Sequence, residues 1–253
     1  MKFKEPLIKA TLIKRYKRFL ADVELEDGQV LTVHTANTGS MAGCAIAGTS
    51  VWLSNSHNPK RKYLYSWEIA STESGQKIGI NTHLANSLVK EAIEQGWIKE
   101  LNDYQSIQTE VPYGQEKSRI DLLVTQTSSQ PCYIEVKNVT ASFEPGVAAF
   151  PDAVTARGSK HLRELEWMVQ QGHRAIIFFC VQREDCQTVR VADEIDPLYA
   201  QTLQEVMAKG VEVLAYGVNF LEDKEQNPIG IVLQNRLELI KQKQGTQIKE
   251  PLV

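Results

Sequence analysis

Two runs near the middle of the chain are apolar enough for buried strands, yet each carries charge inside it. Arg119-Ile120-Asp121-Leu122-Leu123-Val124 holds a carboxylate, and Cys132-Tyr133-Ile134-Glu135-Val136-Lys137-Asn138-Val139 holds an acid and a base. The linker 125–131 is rich in Ser, Thr and Gln, which predicts a hairpin. Side chains alternate along a strand, so Glu135 and Lys137 share one face, Ile134 and Val136 fill the other, and pairing brings Asp121 to join the first two. Charges at a sheet surface are costly without a partner. A divalent ion is the natural one: Mg²⁺, or Mn²⁺ in its place, takes one or two carboxylates and completes its shell with water and phosphate oxygens. Lys137 would then orient or deprotonate an attacking water, or offset charge on a phosphate. The competing reading is an ion pair between Glu135 and Lys137, with Asp121 solvated at a strand end.

The 253 residues suffice for one large domain or two modest ones, and 42% hydrophobic with 23% charged residues is ordinary globular composition. No apolar run is long enough to span a bilayer, and the first residues lead into no signal-like segment, so a cytoplasmic protein is expected. Cys44, Cys132, Cys180 and Cys186 are scattered without a Cys-x-x-Cys pair, as buried thiols of a reducing compartment would be. Through residue 80 there are 11 Lys and Arg against 7 Asp and Glu, or +4; the remainder carries 17 against 24, or −7. A basic front joined to an acidic back fits a binding module attached to a metal-using one, and equally two unremarkable domains.

Residues 1 to about 75 read as all-β. Strands are expected over 7–13, 19–25, 30–34, 50–53 and 63–69, joined by Gly and Asn turns, and an OB-like five-stranded barrel is the economical architecture. Two clusters there mix bases with rings: Lys14, Arg15, Tyr16, Lys17 and Arg18 before Phe19, and Lys60, Arg61 and Lys62 before Tyr63. Cations on phosphates and rings on bases are how nucleic acid is gripped, although a barrel strand also alternates core aromatics with solvated bases. Residues 75–79 read as a hinge between a domain at 1–78 and one at 79–253. A helix capped by Asn81 or Thr82 follows, with Glu91 at the edge of its apolar stripe. After the hairpin comes a long connection over 143–158, then a helix over 159–171 whose first turn crowds Lys160, His161 and Arg163. His161 alone supports no catalytic claim. The apolar run 174–181 is a central strand with Gln182 and Arg183 at its exit. Asp196-Pro197 opens a further helix and 211–220 forms another strand; the polar tail from Gln234 allows a short helix. No internal repeat, Gly-rich phosphate loop or helix-turn-helix signal is present.

The order helix, strand, strand, strand, helix, strand, helix, strand, with Asp121 on the second strand and Glu135-Val136-Lys137 on the third, resembles the PD-(D/E)xK nuclease superfamily. The resemblance implies a mixed-sheet α/β domain in which Asp121 and Glu135 bind Mg²⁺ and Lys137 assists water attack on a phosphodiester, with Glu91 a weaker candidate for a first-helix acid. Ile120 stands where the motif has Pro, and Pro151-Asp152 is a literal match that no Glu-Xaa-Lys follows. A longer set of segments, 15–23, 37–41, 135–140, 150–158 and Lys160-His161-Leu162, resembles the sugar fermentation stimulation protein A family. That resemblance implies DNA binding, a suspected regulatory role in sugar (maltose) metabolism, and an OB-like domain joined to a nuclease-like one.

The expectation is therefore a DNA-binding protein without sequence preference, carrying a nuclease-like, Mg²⁺-dependent site at Asp121, Glu135 and Lys137. Arg119, Arg157, Lys160 and Arg183 are added to the barrel clusters as phosphate contacts. The alternatives are a non-catalytic DNA-binding regulator on the same scaffold, and an enzyme acting on a small phosphorylated or nucleotide substrate through the same metal site. A homo-oligomer is left open.

Overall fold

The computed structural model describes residues 1–126 and 129–240; Thr127, Ser128 and 241–253 lie outside the described residues. Strands β1 (Ile8–Tyr16), β2 (Leu20–Leu25), β3 (Val30–Thr35), β4 (Ser50–Asn55) and β5 (Tyr65–Ser71) run in the order β3-β2-β1-β4-β5. A parallel pairing of His34 with Ser66 and Thr35 with Trp67 joins β3 to β5, which closes the five-stranded OB barrel. Its interior is filled by alternate inward residues, among them Leu12, Val23, Val33, Leu53 and Trp67.

The stretch expected to be a hinge is instead a sixth strand. β6 (Lys77–Gly79) is fully buried and pairs antiparallel with β5. It also bridges to the second half of the chain, through Gly79 N–H donating to the Gln182 carbonyl at 2.8 Å and a bridge between Ile78 and Arg183. Gly75 shortly before it and Gly79 as its last residue hide so short a strand from the pattern.

The α/β domain is built on β7 (Tyr104–Tyr113), β8 (Ser118–Gln126), β9 (Ser129–Val139), β12 (Arg174–Val181), β14 (Glu212–Glu222) and β15 (Pro228–Arg236), in the order β15-β14-β12-β9-β8-β7. β12 is parallel to β9 and β14, and the outer pairs are antiparallel, so the sheet is mixed. Helix α1 (Ala85–Glu94) covers one face, and α2 (Ala156–Gln170) and α3 (Pro197–Ala208) cover the other. That two-sided cover explains why β12 is almost wholly apolar. The region read as a long connection contributes β10 (Ser142–Glu144) and β11 (Val147–Phe150) to a second sheet with β13 (Thr188–Val191) and β16 (Glu238–Ile240), ordered β10-β11-β13-β16. In the tail, 234–236 extend β15 and β16 follows; the short helix expected in the tail has no counterpart among the described residues up to Ile240, and 241–253 lie outside them.

Local chemistry fixes the helix starts. Asn81 accepts from His83 N–H to open a single 3₁₀ turn before α1. Thr155 caps α2, and Asp196 caps α3 while its other oxygen accepts from Thr155 N–H at 2.9 Å, so one buried carboxylate registers both helices. The barrel does not float beside this domain. Trp52 and Ile69 of the barrel belong to the same core as Leu88 and Val89 of α1 and Phe178 of β12. Its loop 36–44 docks on the carboxyl ends of the sheet strands, with Asn37 Nδ2 donating to Thr140 Oγ1 at 3.1 Å and Ser142 N–H to the Ala42 carbonyl.

On the far side of the sheet, Glu100 accepts from Tyr216 Oη at 2.6 Å and from Arg236 Nε at 2.8 Å. Burial pushes this carboxyl up, but those donors outweigh it and hold it below the usual range. A depressed carboxyl stabilises the fold above its unfolded pKa, about 4.3, and that contribution is lost as pH falls through the lower folded value. Glu100→Gln should therefore flatten the acid side of the stability curve, read from urea midpoints between about pH 6 and pH 2.

Candidate functional site

β8 and β9 pair in register through Val124 with Cys132, Leu123 with Tyr133 and Leu122 with Ile134. There the paired register ends. Val136 N–H is taken by Asp121 Oδ2 at 2.7 Å, so the strands part where the charges lie. Asp121 Oδ1 accepts from Asn86 Nδ2 of α1 at 2.8 Å. Glu135, only 3% exposed, accepts on Oε1 from Lys137 Nζ at 2.7 Å and from His161 Nδ1. Its Oε2 is buried with no hydrogen-bond partner. His161 Nε2 faces Arg157 Nε at 3.3 Å. A guanidinium N–H only donates, so Nε2 accepts, and the ring proton sits on Nδ1 toward Glu135.

The two acids are driven apart in acidity. Burial, reinforced by the Glu135 charge, pushes Asp121 up despite its hydrogen bonds. Burial also acts against Glu135, but donation by His161 and the charge of Lys137 prevail and hold it below the carboxylate range. Two buried phenols, Tyr113 and Tyr199, leave their hydroxyls without partners near this charge, and burial and then Glu135 push both upward in pKa.

A buried carboxylate on α2 holds the entry to β8. Glu164 accepts from the backbone N–H groups of Gln115 and Glu116 at 2.7 and 2.5 Å, filling the space a side chain at Gly114 would need. Glu164→Ala would strand those amides, and a loss of about 2–4 kcal/mol in a denaturant titration is expected.

The residues fit a divalent ion. Among the described residues no group of three or more His, Cys, Asp or Glu side chains converges as a metal site, so an ion here would rest on Asp121 and Glu135. Two hard carboxylates, one with an oxygen lacking any donor, match the small protein share of a Mg²⁺ shell. The first-helix residue that reaches the site is Asn86. Glu91, the acid suggested by the helix stripe, is paired with the Met1 amino group at 2.5 Å.

The expected phosphate contacts divide by their surroundings. Lys17 and Arg18 form the exposed β1–β2 turn, both at positive φ, and Lys60, Arg61 and Lys62 are exposed on the β4–β5 loop. These are the two loops with which OB folds engage oligonucleotides. They converge: His34, its ring 6.3 Å from that of Phe19, has its pKa lowered by burial and then by the charges of Arg61 and His83. Lys14 lies 3.5 Å from Asp22, which also accepts from Tyr16 Oη. Arg119 donates to the Glu110 carbonyl and Lys160 to the Glu116 carbonyl at its side of the α2 start, while Arg157 braces His161.

Two of the expected contacts are structural. Arg15 donates to the carbonyls of Arg18, Asn37, Gly39 and Ser40 and so ties the barrel turn to the docking loop. Arg183, 3% exposed, pairs with Asp185 and donates to the carbonyls of Gly43 and Thr140. A guanidinium this buried, with all three nitrogens already engaged, is a structural clamp, and it corrects the expectation of Arg183 as a phosphate contact.

Where the barrel meets the sheet lies a cleft of ≈ 320 Å³. Arg18 and loop 36–39 form one wall, 150–155 the other, and Thr82 and 138–141 the floor.

The chain matches the family model described as the sugar fermentation stimulation protein RE domain over residues 83–224, and that described as the SfsA N-terminal OB domain over 13–80. The sugar fermentation stimulation protein homolog of Thioalkalivibrio sulfidiphilus is 53% identical over 239 residues, covering 94% of this chain and 98% of its own. That of Maricaulis maris is 52% identical over 241 residues, covering 94% and 99%. The structure of Pyrococcus furiosus SfsA in complex with Ca²⁺ superposes with a TM-score of 0.80 at 24% identity, over 95% of this chain and 98% of that one, and so shares the fold. With an OB barrel leading into a mixed-sheet α/β domain, and both matched along their length, this chain belongs to the sugar fermentation stimulation protein (SfsA) family.

Proposed function

We propose that this protein binds DNA without sequence preference through residues 1–78 and cleaves its backbone, with a divalent ion, at Asp121, Glu135 and Lys137 in 79–253. The observation that carries the reading is the buried, unpartnered Oε2 of Glu135 at the point where β8 and β9 part. An oxygen so placed is costly unless a cation occupies the gap. Asp121 and Glu135 would hold Mg²⁺ or Mn²⁺, and the Pyrococcus protein, whose structure is that of a complex with Ca²⁺, supports a hard divalent ion in this family. When bound, such an ion offsets phosphate charge and lowers the pKa of water. Lys137 Nζ, held against Glu135, would bind a phosphate oxygen or orient the attacking water. Asn86 and His161 keep the two acids in place.

Binding without sequence preference follows from the contact groups, which are Lys and Arg on exposed barrel loops rather than a helix shaped for a groove. A second reading, a non-catalytic DNA-binding regulator of sugar (maltose) metabolism, is favoured by one observation: Glu135 Oε1 already serves both Lys137 and His161. Incubation of single- and double-stranded DNA in Mg²⁺ or Mn²⁺ separates the two. Cleavage that stops in EDTA while binding persists is expected; binding without cleavage in either metal would establish the regulator. Affinity should fall steeply with salt, and neutralising Lys60, Arg61 and Lys62 together should reduce the slope by about 2–3.

A further inference from the structure

We propose that the cleft between the barrel and the sheet seats one nucleobase of a single DNA strand, next to the phosphate presented to Glu135 and Lys137, which makes single-stranded DNA the preferred substrate. This inference rests on the nuclease-type reading of that site and extends it.

Position is the first argument. Asn138 in the cleft floor directly follows Lys137 along β9, and consecutive Cα atoms are about 3.8 Å apart. From the other side, Thr82 lines the cleft and Asn86, four residues on, holds Asp121. Neither acid lines the cleft, but its wall ends at Thr155, the cap of α2, and the helix that follows carries Arg157 and the His161 that holds Glu135. Its outer wall continues into the patch of Arg18, Phe19, His34 and Arg61, so a strand lying on the barrel loops leads into it.

Chemistry is the second. The charged groups in the lining are one cation, Arg18, and one anion, Asp152, where a phosphate pocket would show a cationic surplus. The rest offers amides, hydroxyls and flat apolar surface: Asn138 and Thr82 in the floor, Phe150 and Pro151 in the wall. Hydrogen-bonding groups for an edge beside a face for stacking are what a base requires. A volume of ≈ 320 Å³ is at the small end of ligand sites, room for a single planar group.

Rigidity is the third. The walls are fastened to one another, with Ser40 N–H donating to Asp152 Oδ2 at 2.8 Å and Asn37 donating to Thr140. Even a side chain at Gly39 would strike the Asp152 carboxylate. A cleft pinned in this way does not spread for a duplex, whose bases are stacked and paired; only an unpaired base enters.

The test measures binding by fluorescence anisotropy with the full-length protein in EDTA, so that nothing is cut. The probes are a labelled single strand of about 12 nucleotides, within the site sizes of OB folds, the blunt duplex of the same sequence, strands with one abasic position moved along them, and deoxynucleoside monophosphates as competitors. Wild type should bind the single strand about tenfold tighter than the duplex, and one abasic position should cost about tenfold, the scale of one base stack. Ala153→Trp, at the exposed rim, should fill the cleft and abolish both differences while duplex affinity stays within about twofold. Thr82→Val, of the same shape, should lower single-strand affinity a few-fold, and thermal melts of both variants check the fold. Equal affinity for strand and duplex, or a preference that survives Ala153→Trp in a folded protein, overturns the cleft proposal and leaves the DNA-binding reading standing. Competition by a mononucleotide as strong as by the strand overturns it in favour of a small-nucleotide pocket. Absence of any DNA binding overturns both.

Discussion

Lys137→Ala should slow metal-dependent cleavage by about 10²–10⁴-fold, the usual worth of a positioned proton-transfer or charge-stabilising group, with DNA affinity in EDTA little changed. The variant is interpretable because Glu135 keeps its hydrogen bond from His161, so its burial stays compensated. Asp121→Asn should be as damaging to cleavage, since the amide retains the contacts of the carboxylate with Asn86 in part but loses the charge an ion needs. Glu135→Gln should abolish cleavage and lower stability modestly, while Glu135→Ala, which leaves Lys137 beside an empty pocket, should cost about 3–5 kcal/mol. Rates come from a labelled strand under single-turnover conditions, and stabilities from urea titrations of the same preparations. Cleavage at the wild-type rate in Lys137→Ala would remove the acid–lysine cluster from the chemistry.

Arg183→Met should behave quite differently from the loss of a DNA contact. The guanidinium pairs with Asp185 and donates to two carbonyls, one from the barrel's docking loop and one from the end of β9. Its removal strands those acceptors and a partly buried carboxylate together, and a loss of about 3–5 kcal/mol is expected in a urea titration. The salt slope of DNA binding should stay as it was in the protein that remains folded. Lys62→Gln should do the reverse, leaving stability within about 0.5 kcal/mol and lowering the slope by about 0.9. An Arg183→Met protein of native stability with a weakened salt dependence would restore Arg183 as a phosphate contact.

The contrast shows what a sequence makes visible. Asp121, Glu135 and Lys137 stand out because a charge inside an apolar strand is unusual, and period-two alternation tells which of them share a face. The barrel strands are legible for the same reason, with turn residues at their ends. Arg183 and Arg15 mislead because sequence records the sign of a charge but not the carbonyls that fold around it from 22 to 140 positions away. His161 does not stand out, since helical periodicity reports only an inward face, and nothing local says that a strand carboxylate waits opposite it. The same limit puts Glu91 ahead of Asn86. β6, β10, β11, β13 and β16 go unread because strands of three or four residues are too short to display a period.

The shared core of barrel and sheet also has a kinetic meaning. With Trp52 and Ile69 packed among the residues of α1 and β12, the two halves move as one body and no jaw is left to swing shut on a ligand. Enzymes that close over their substrates spend time in opening and closing, and that motion often limits turnover. If DNA binds as proposed, association with excess protein should follow a single exponential whose rate rises linearly with protein concentration without a plateau and falls with ionic strength.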